Sequence, residues 1–257
     1  MTYLKRNLLE LIWVRSTLNL RSEATVNRLS YTWWIIEPLL HMCAYYFVFS
    51  VLLNRGDEHY VAFLLTGLIP WLWFSKSVNR AMNSIHKGTP LMDQLFIPKI
   101  FFPLTSLLQD AIKQVFVLVL LFIFVWLSNH GINLNILWIV PVILSQLILI
   151  TGVGLMIALV VPFFRDLTNI IPACLQFIMF CSGIFFSYKN IPENMQAYFF
   201  INPMAVILRN YREVLVYNVA PNFALLAYVY ALGAILIVIA LYFYRKLEYK
   251  LSRVVLE

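Results

Sequence analysis

Six long apolar runs, separated by short polar stretches, organise this chain: Trp33–Leu53, Tyr60–Phe74, Leu107–Leu127, Ile136–Phe164, Ile170–Phe186 and Phe223–Tyr244. Most approach the ~20 residues that a helix needs to cross ~30 Å of hydrocarbon. Lipid offers no partner to a backbone amide, so the spans must be helical. The pattern therefore predicts an all-α polytopic membrane protein with six transmembrane helices, at 32–54, 60–78, 107–128, 136–164, 168–187 and 222–244. Residues 1–31 read differently. Leu4, Leu8, Leu11 and Leu18 are assigned to one helical face and Lys5, Arg6 and Glu10 to others, which predicts an amphipathic helix lying on the membrane surface.

Two of the connecting segments carry patterns of their own. In 188–222, Asn202-Pro203 reads as an N-cap followed by proline at the first helical position, opening a helix over Met204–Tyr217. Val206, Ile207, Tyr211, Val214 and Leu215 form its apolar face, and Arg209 and Glu213 an i, i+4 pair. Fourteen residues reach only ~21 Å, so this helix is expected to re-enter or lie on the outer surface, with Ile191–Phe200 as its descending partner. The predicted re-entrant outer hairpin, 190–217, thus sits between spans five and six. The stretch Ser75–Ser106 is punctuated by Gly88, Pro90, Pro98 and Pro103, and Pro90 is expected to start a short helix. It is either a plain connection or a surface that a soluble motor subunit grips, and it is longer than a connection requires.

Charge then orients the threading. With the N-terminus inside, fourteen of the 19 Lys and Arg residues fall on the inner side, with Lys113 a fifteenth, and only Arg55, Lys189, Arg209 and Arg212 fall outside. The positive-inside rule selects cytoplasmic N- and C-termini. No cleaved leader is expected, because Met1–Ser30 is charged throughout. A chain of 257 residues with 62% hydrophobic and 12% charged positions holds one membrane domain, 1–257. The net charge of +7 flanks spans, where it serves orientation and anionic headgroups, so nucleic acid is not expected as a partner.

Chemistry-bearing motifs are mostly absent. No glycine-rich loop ends in Lys-Ser or Lys-Thr, so nucleotide hydrolysis by this chain, and a cofactor of its own, are not expected. The four histidines and three cysteines are scattered, giving no metal site. Cys43, Cys174 and Cys181 read as small core residues. Gly152-x-Gly154 reads as a place of close helix packing. The loops offer only isolated acids, which weakens an enzyme reading.

Several polar residues leave two readings open. Arg15 either snorkels to headgroups or joins Arg21 and Arg28 in receiving an anionic substrate headgroup, for which the arginine fork is suited. Glu37, followed by Pro38, is either a functional intramembrane carboxylate or the partner of Arg28 or Arg21. Trp71 and Trp73 read as aromatic-belt residues. Tyr45, Tyr46 and Phe49 lie too deep for a belt and are taken, with Trp33 and Trp34, as lining a passage. Arg165-Asp166 is either a gate ion pair or a helix-terminal pair.

The order of these parts resembles a known family, the membrane permeases of bacterial ABC exporters for lipid-linked surface polysaccharides such as O-antigen, capsule and teichoic acid. The resemblance covers essentially the whole chain. Its carriers are Trp33-Trp34 with Pro38-Leu39-Leu40 after a basic amphipathic helix, Phe96-Ile97-Pro98-Lys99-Ile100-Phe101-Phe102-Pro103-Leu104, Phe164-Arg165-Asp166-Leu167, and Asn202-Pro203-Met204 followed by Tyr211-Arg212. Leu29-Ser30 stands where Leu-Gly is common in the family, and Arg15-Ser16 where Arg-Asp is common.

The resemblance implies a homodimer forming one channel, driven by two copies of a soluble ABC ATPase that binds ATP and magnesium. It implies a polyprenyl-diphosphate-linked glycan as substrate and the bacterial inner membrane as location. The segment 88–103, through Leu91, Met92, Asp93, Gln94, Phe96, Pro98 and Lys99, would be the coupling region. The outer hairpin, with Asn202, Pro203, Tyr211 and Arg212, would be the outer gate. A small-molecule exporter of the same architecture, or a membrane-embedded transferase, are the rival readings.

Overall fold

The computed structural model describes residues 2–26, 32, 36, 39–40, 43–44, 47–52, 60–92, 94, 97–129 and 134–256, and these lie in helices, turns and short connections, with no strand among them. Among the described residues ten α-helices carry the fold: α1 (Thr2–Val26), α2 (Tyr60–Met82), α3 (Ser84–Lys87), α4 (Thr89–Met92), α5 (Phe101–Asn129), α6 (Ile139–Val160), α7 (Leu167–Cys181), α8 (Glu193–Phe199), α9 (Pro203–Leu215) and α10 (Phe223–Leu256). The chain is an all-α polytopic membrane protein. Four of its described helical stretches are long and apolar enough to cross a bilayer: Tyr60–Met82, Phe101–Leu127, Asn135–Val160 and Phe223–Leu251. The first predicted span falls largely outside the described residues; Leu39, Leu40, Cys43 and Ala44 are helical and Phe47–Leu52 is a π-helical stretch.

Successive long helices alternate in direction. At one end, Met82 of α2, Val161 beyond α6, Thr168 of α7 and Val254 of α10 border one cavity. Ile85, Phe101, Phe102, Leu155, Leu159 and Tyr244 pack in one cluster there. At the other end the Tyr230 hydroxyl donates to the Pro141 carbonyl (2.7 Å) and Asn135 Nδ2 to the Asn218 carbonyl (2.6 Å). Lys76, Arg80, Lys87, Lys99, Arg165, Arg245 and Arg253 all belong to the first end, which we call the basic end.

Within lipid no hydrophobic force drives helices together, so close packing through small residues must do it. The most extensive helix pair, α6 with α10, does so. A Cβ added at Gly152 would come 2.8 Å from the Gly233 carbonyl oxygen, and one at Gly233 would come 3.0 Å from the Ile148 carbonyl carbon. The expected packing role of Gly152-x-Gly154 holds: Gly154 sits against Leu107 and Ala81.

Helix α1 docks on the fold through Ile12, Ser16 and Leu20 and leaves Leu11 and Leu18 of the expected apolar face exposed. The docked stripe runs at i, i+4 through Ser16, whose hydroxyl donates to Ile12 O (2.7 Å) and Thr105 O (3.2 Å). A search for leucines alone misses a stripe that has a serine at its centre. Trp71 and Trp73 are buried in the core and not at a lipid-facing belt, because α2 is packed on nearly all sides by α5, α6, α7 and α9. Cys43, Cys174 and Cys181 are exposed, not in the core. Helix α7 stops at Cys181, 15 residues long, short of the predicted 168–187, because Gly183 turns the chain with φ +74°. Helices α2 and α10 run on past their predicted ends, to Met82 and Leu256.

Candidate functional site

The hairpin of α8 and α9 is built from a local signal. Asn202 Oδ1 accepts from the Met204 amide (3.0 Å), and Pro203 occupies the first helical position of α9, as expected. The other side of the same amide reaches back along the chain: Asn202 Nδ2 donates to Ser182 Oγ (2.9 Å), which donates to the Ile178 carbonyl (2.7 Å) near the end of α7. Helix α9 is buried almost all round, Val206, Ile207, Tyr211, Val214 and Leu215 included. The predicted pair Arg209–Glu213 forms at 2.7 Å, and the Arg209 guanidinium lies over the rings of Tyr188 (4.5 Å) and Phe200 (5.0 Å).

Arg212 is the most constrained charge in this region. Its Nη1 donates to Gly183 O (2.7 Å) and its Nη2 to Ile184 O (2.8 Å), while its guanidinium carbon stands 3.5 Å from the centre of the Phe63 ring. No carboxylate is bonded to it among the described residues. With the Phe63 carbonyl, 3.4 Å from Nε, three backbone carbonyls and an aromatic face take the place of a counter-ion, which a buried charge otherwise requires. Burial pulls the guanidinium down to about 9, with the Tyr217 and Tyr60 phenols opposing, so it keeps its charge at neutral pH. Beside it Tyr211 is fully buried, its hydroxyl without a hydrogen-bond partner among the described residues. The sequence points to Tyr211 and Arg212 but not to Phe63, Gly183 or Gly67. A Cβ at 67 would come 2.6 Å from Arg212 Nη2, so any side chain there must displace the guanidinium.

At the basic end stands a second constellation that the sequence pattern did not single out. Arg80 of α2 pairs with Asp110 of α5 (2.7 Å) and approaches Glu23 of α1 (3.9 Å), and Glu23 is ion-paired with Lys113 of α5. A signal exists in the sequence: Asp110 and Lys113 interrupt a long apolar run, where an ionisable residue is a candidate by default. The network ties the surface helix to two long helices.

The expected coupling region is partly inside the fold. Met92 and Lys99 are buried, Leu91 and Pro98 half-buried, and Gln94 exposed. Burial lowers the Lys99 pKa, while Glu248 nearby raises it. The Pro98 carbonyl accepts from the Phe101 amide (2.9 Å), so this motif starts α5. The exposed surface here consists of His86, Lys87, Pro90 and Gln94 among the described residues.

The remaining candidates divide simply. Arg15 and Arg21 are exposed on α1. Arg165 and Asp166 are both exposed and form no ion pair with each other; the Arg165 carbonyl instead accepts from Thr168 Oγ1 (2.7 Å) at the start of α7. Phe49 lies in the π-helical stretch. Arg28, Trp33, Trp34, Glu37, Tyr45, Tyr46, Asp93 and Phe96 lie outside the described residues.

Compared with known families, residues 9–216 match the ABC-2 type transporter membrane family. The chain belongs to the ABC-2 type transporter family. It is thus a transport subunit and not an enzyme. Among its relatives is the O-antigen export system permease protein RfbA of Klebsiella pneumoniae, 25% identical over 248 residues, covering 96% of this chain and 95% of that one. The polysialic acid transport protein KpsM of Escherichia coli is 28% identical over 86% of this chain and 87% of its own. The capsule polysaccharide export inner-membrane protein CtrC of Neisseria meningitidis serogroup A is 25% identical over 69% of this chain and 68% of its own. The ABC-2 match contains most of α1, the basic-end network and the Arg212 cage.

Proposed function

We propose that the chain is the channel-forming permease of a bacterial inner-membrane exporter of lipid-linked polysaccharide, O-antigen in the first instance, driven by ATP hydrolysis on a separate ATPase. The observation that carries this is the near end-to-end similarity to an O-antigen export permease, 96% of this chain against 95% of the relative. In this reading two copies form the channel around a polyprenyl-diphosphate-linked glycan, with six spans each, and the basic end faces the cytoplasm. The charge distribution supports that orientation. The exposed apolar faces of α7, which include Ile170, Phe177 and Phe180, give a second copy something to cover.

Each site then has a role. Exposed Pro90 and Gln94 present the coupling region to the ATPase. The α8–α9 hairpin, held by Asn202 and Arg212, closes the outer side. Trp33, Trp34, Glu37, Tyr45, Tyr46 and Phe49 line the passage, and Arg15, Arg21 and Arg28 receive the headgroup. The test is a gel of surface polysaccharide, with lipid-linked glycan extracted from inside, in cells with and without this chain. Loss of surface polymer with internal accumulation of its lipid-linked form is expected. Unchanged surface and internal pools would remove polysaccharide as substrate and favour export of a small molecule.

A further inference from the structure

A cavity of about 200 Å³ opens at the basic end where three separate parts of the chain meet: the end of α2 with α3, the turn between α6 and α7, and the last turns of α10. Its two halves differ in chemistry. Met82, Val161, Pro162 and Val254 supply an apolar floor. Asn83, His86, Arg165 and Thr168 supply polar walls, with no acid among the lining residues. Lys87 is exposed next to His86, and Asp166, exposed next to Arg165, is the acid nearest in sequence.

Size and position narrow the occupant. Pockets for drug-sized molecules run from about 300 to 1,000 Å³, so this one is too small for a run of sugars or a nucleotide and large enough for one small headgroup. Phe164, 65% exposed, and Ile170, 51% exposed, flank the Arg165 turn, which puts an apolar surface beside a cationic one. Such a border suits the boundary between hydrocarbon and headgroups. Arg165 forms no ion pair with its neighbour Asp166, and its planar fork is suited to two phosphate oxygens at once.

We propose that this cavity is a binding site for a phosphate ester carrying an apolar tail, with Arg165 and His86 on the phosphate and the Met82–Val161–Pro162–Val254 floor under the first carbons of the tail. The two sources of such a group are an anionic phospholipid of the bilayer and the isoprenoid carrier of the exported glycan. The second source rests on the function proposed above. The site itself does not, since binding is measured without transport.

The full-length chain in phosphatidylcholine nanodiscs is titrated with farnesyl diphosphate, with phosphatidylglycerol read by native mass spectrometry, and with inorganic pyrophosphate. Wild type is expected to bind one tailed probe at least tenfold more tightly than a doubly substituted Arg165→Ala, His86→Ala protein, both side chains being exposed and outside the core. Thr168→Trp, which fills part of the cavity from its lining without changing charge, should weaken the same probe. Preference for farnesyl diphosphate assigns the site to the carrier, and preference for phosphatidylglycerol to the bilayer. Equal binding by wild type and both variants overturns the proposal, as does pyrophosphate binding as tightly as either tailed probe. Unchanged glycan export in cells carrying a variant that has lost probe binding would refute only the role in transport.

Discussion

The Arg212 guanidinium lies over the Phe63 ring, its carbon 3.5 Å from the ring centre, although the two residues stand 149 positions apart and share no local motif. The contact joins α9 to α2, and the two carbonyl bonds of the same guanidinium join both to the turn that ends α7. Arg212 therefore holds three elements, at the end opposite the basic one, in one arrangement.

Replacing Arg212 by Met would leave the Gly183 and Ile184 carbonyls buried without a donor, and each charge-assisted hydrogen bond contributes about 1.5–3 kcal/mol. Arg212→Met is expected to lower the unfolding temperature in detergent and to abolish export. Arg212→Lys keeps the charge but not the fork, and should fall between. Gly67→Ala should resemble a mild Arg212 variant, because its methyl would displace Nη2 from its carbonyl. Unfolding temperatures equal to wild type in all three would show that the cage contributes nothing.

The contact of Gly152 with Gly233 is backbone against backbone, so no side chain can swing aside to admit a larger residue. Gly152→Val is expected to cost about 1–3 kcal/mol through overpacking. Gly154→Ala meets only the flexible end of Leu107 and Ala81 at 3.1–3.3 Å and should cost less. Thermal unfolding of the two purified variants checks the order; the reverse order would mean that α6 and α10 separate easily here.

These sites show where a sequence is legible. The Asn202–Pro203 cap can be read because both partners, the side chain and the Met204 amide, lie within two residues of each other. The Arg212 cage cannot, since backbone carbonyls 28 and 29 positions away leave no side-chain signal. Trp71 and Trp73 mislead because a belt and a buried helix call for the same aromatic residues, and only the neighbours of α2 decide between them. Long spans are legible from length and hydropathy alone, but the end of α7 is set by a single glycine conformation.

Sidedness has a direct chemical test. With the natural cysteines replaced, single cysteines at exposed His86 and Gln94 on the basic end, and at exposed Ala197 on α8, should differ in intact cells. A membrane-impermeant maleimide is expected to label Ala197→Cys from outside and His86→Cys and Gln94→Cys only after lysis. The opposite pattern would invert the orientation and place the basic end outside, against the positive-inside rule.

The ion pair of Glu23 with Lys113 bears on how α1 is held. Among the described elements α1 packs substantially only on α5, through Ile12, Ser16 and Leu20, and Glu23 lies at the far end of that contact. The Glu23 side chain is 41% exposed, so the pair by itself is worth only about 0.2–1 kcal/mol. Its larger effect is on Arg80 and Lys113, which without Glu23 would share the single carboxylate of Asp110, itself buried. Glu23→Lys is therefore expected to release the C-terminal part of α1, seen as faster amide exchange over 18–26, with little change in unfolding temperature. The exchanged pair Glu23→Lys with Lys113→Glu should restore the protection. Arg80 approaches Glu23 only at 3.9 Å, so rescue should be partial if that longer contact also counts, and complete if Lys113 alone fixes the helix. Exchange over 18–26 unchanged in Glu23→Lys would show that the apolar stripe holds α1 without the charges.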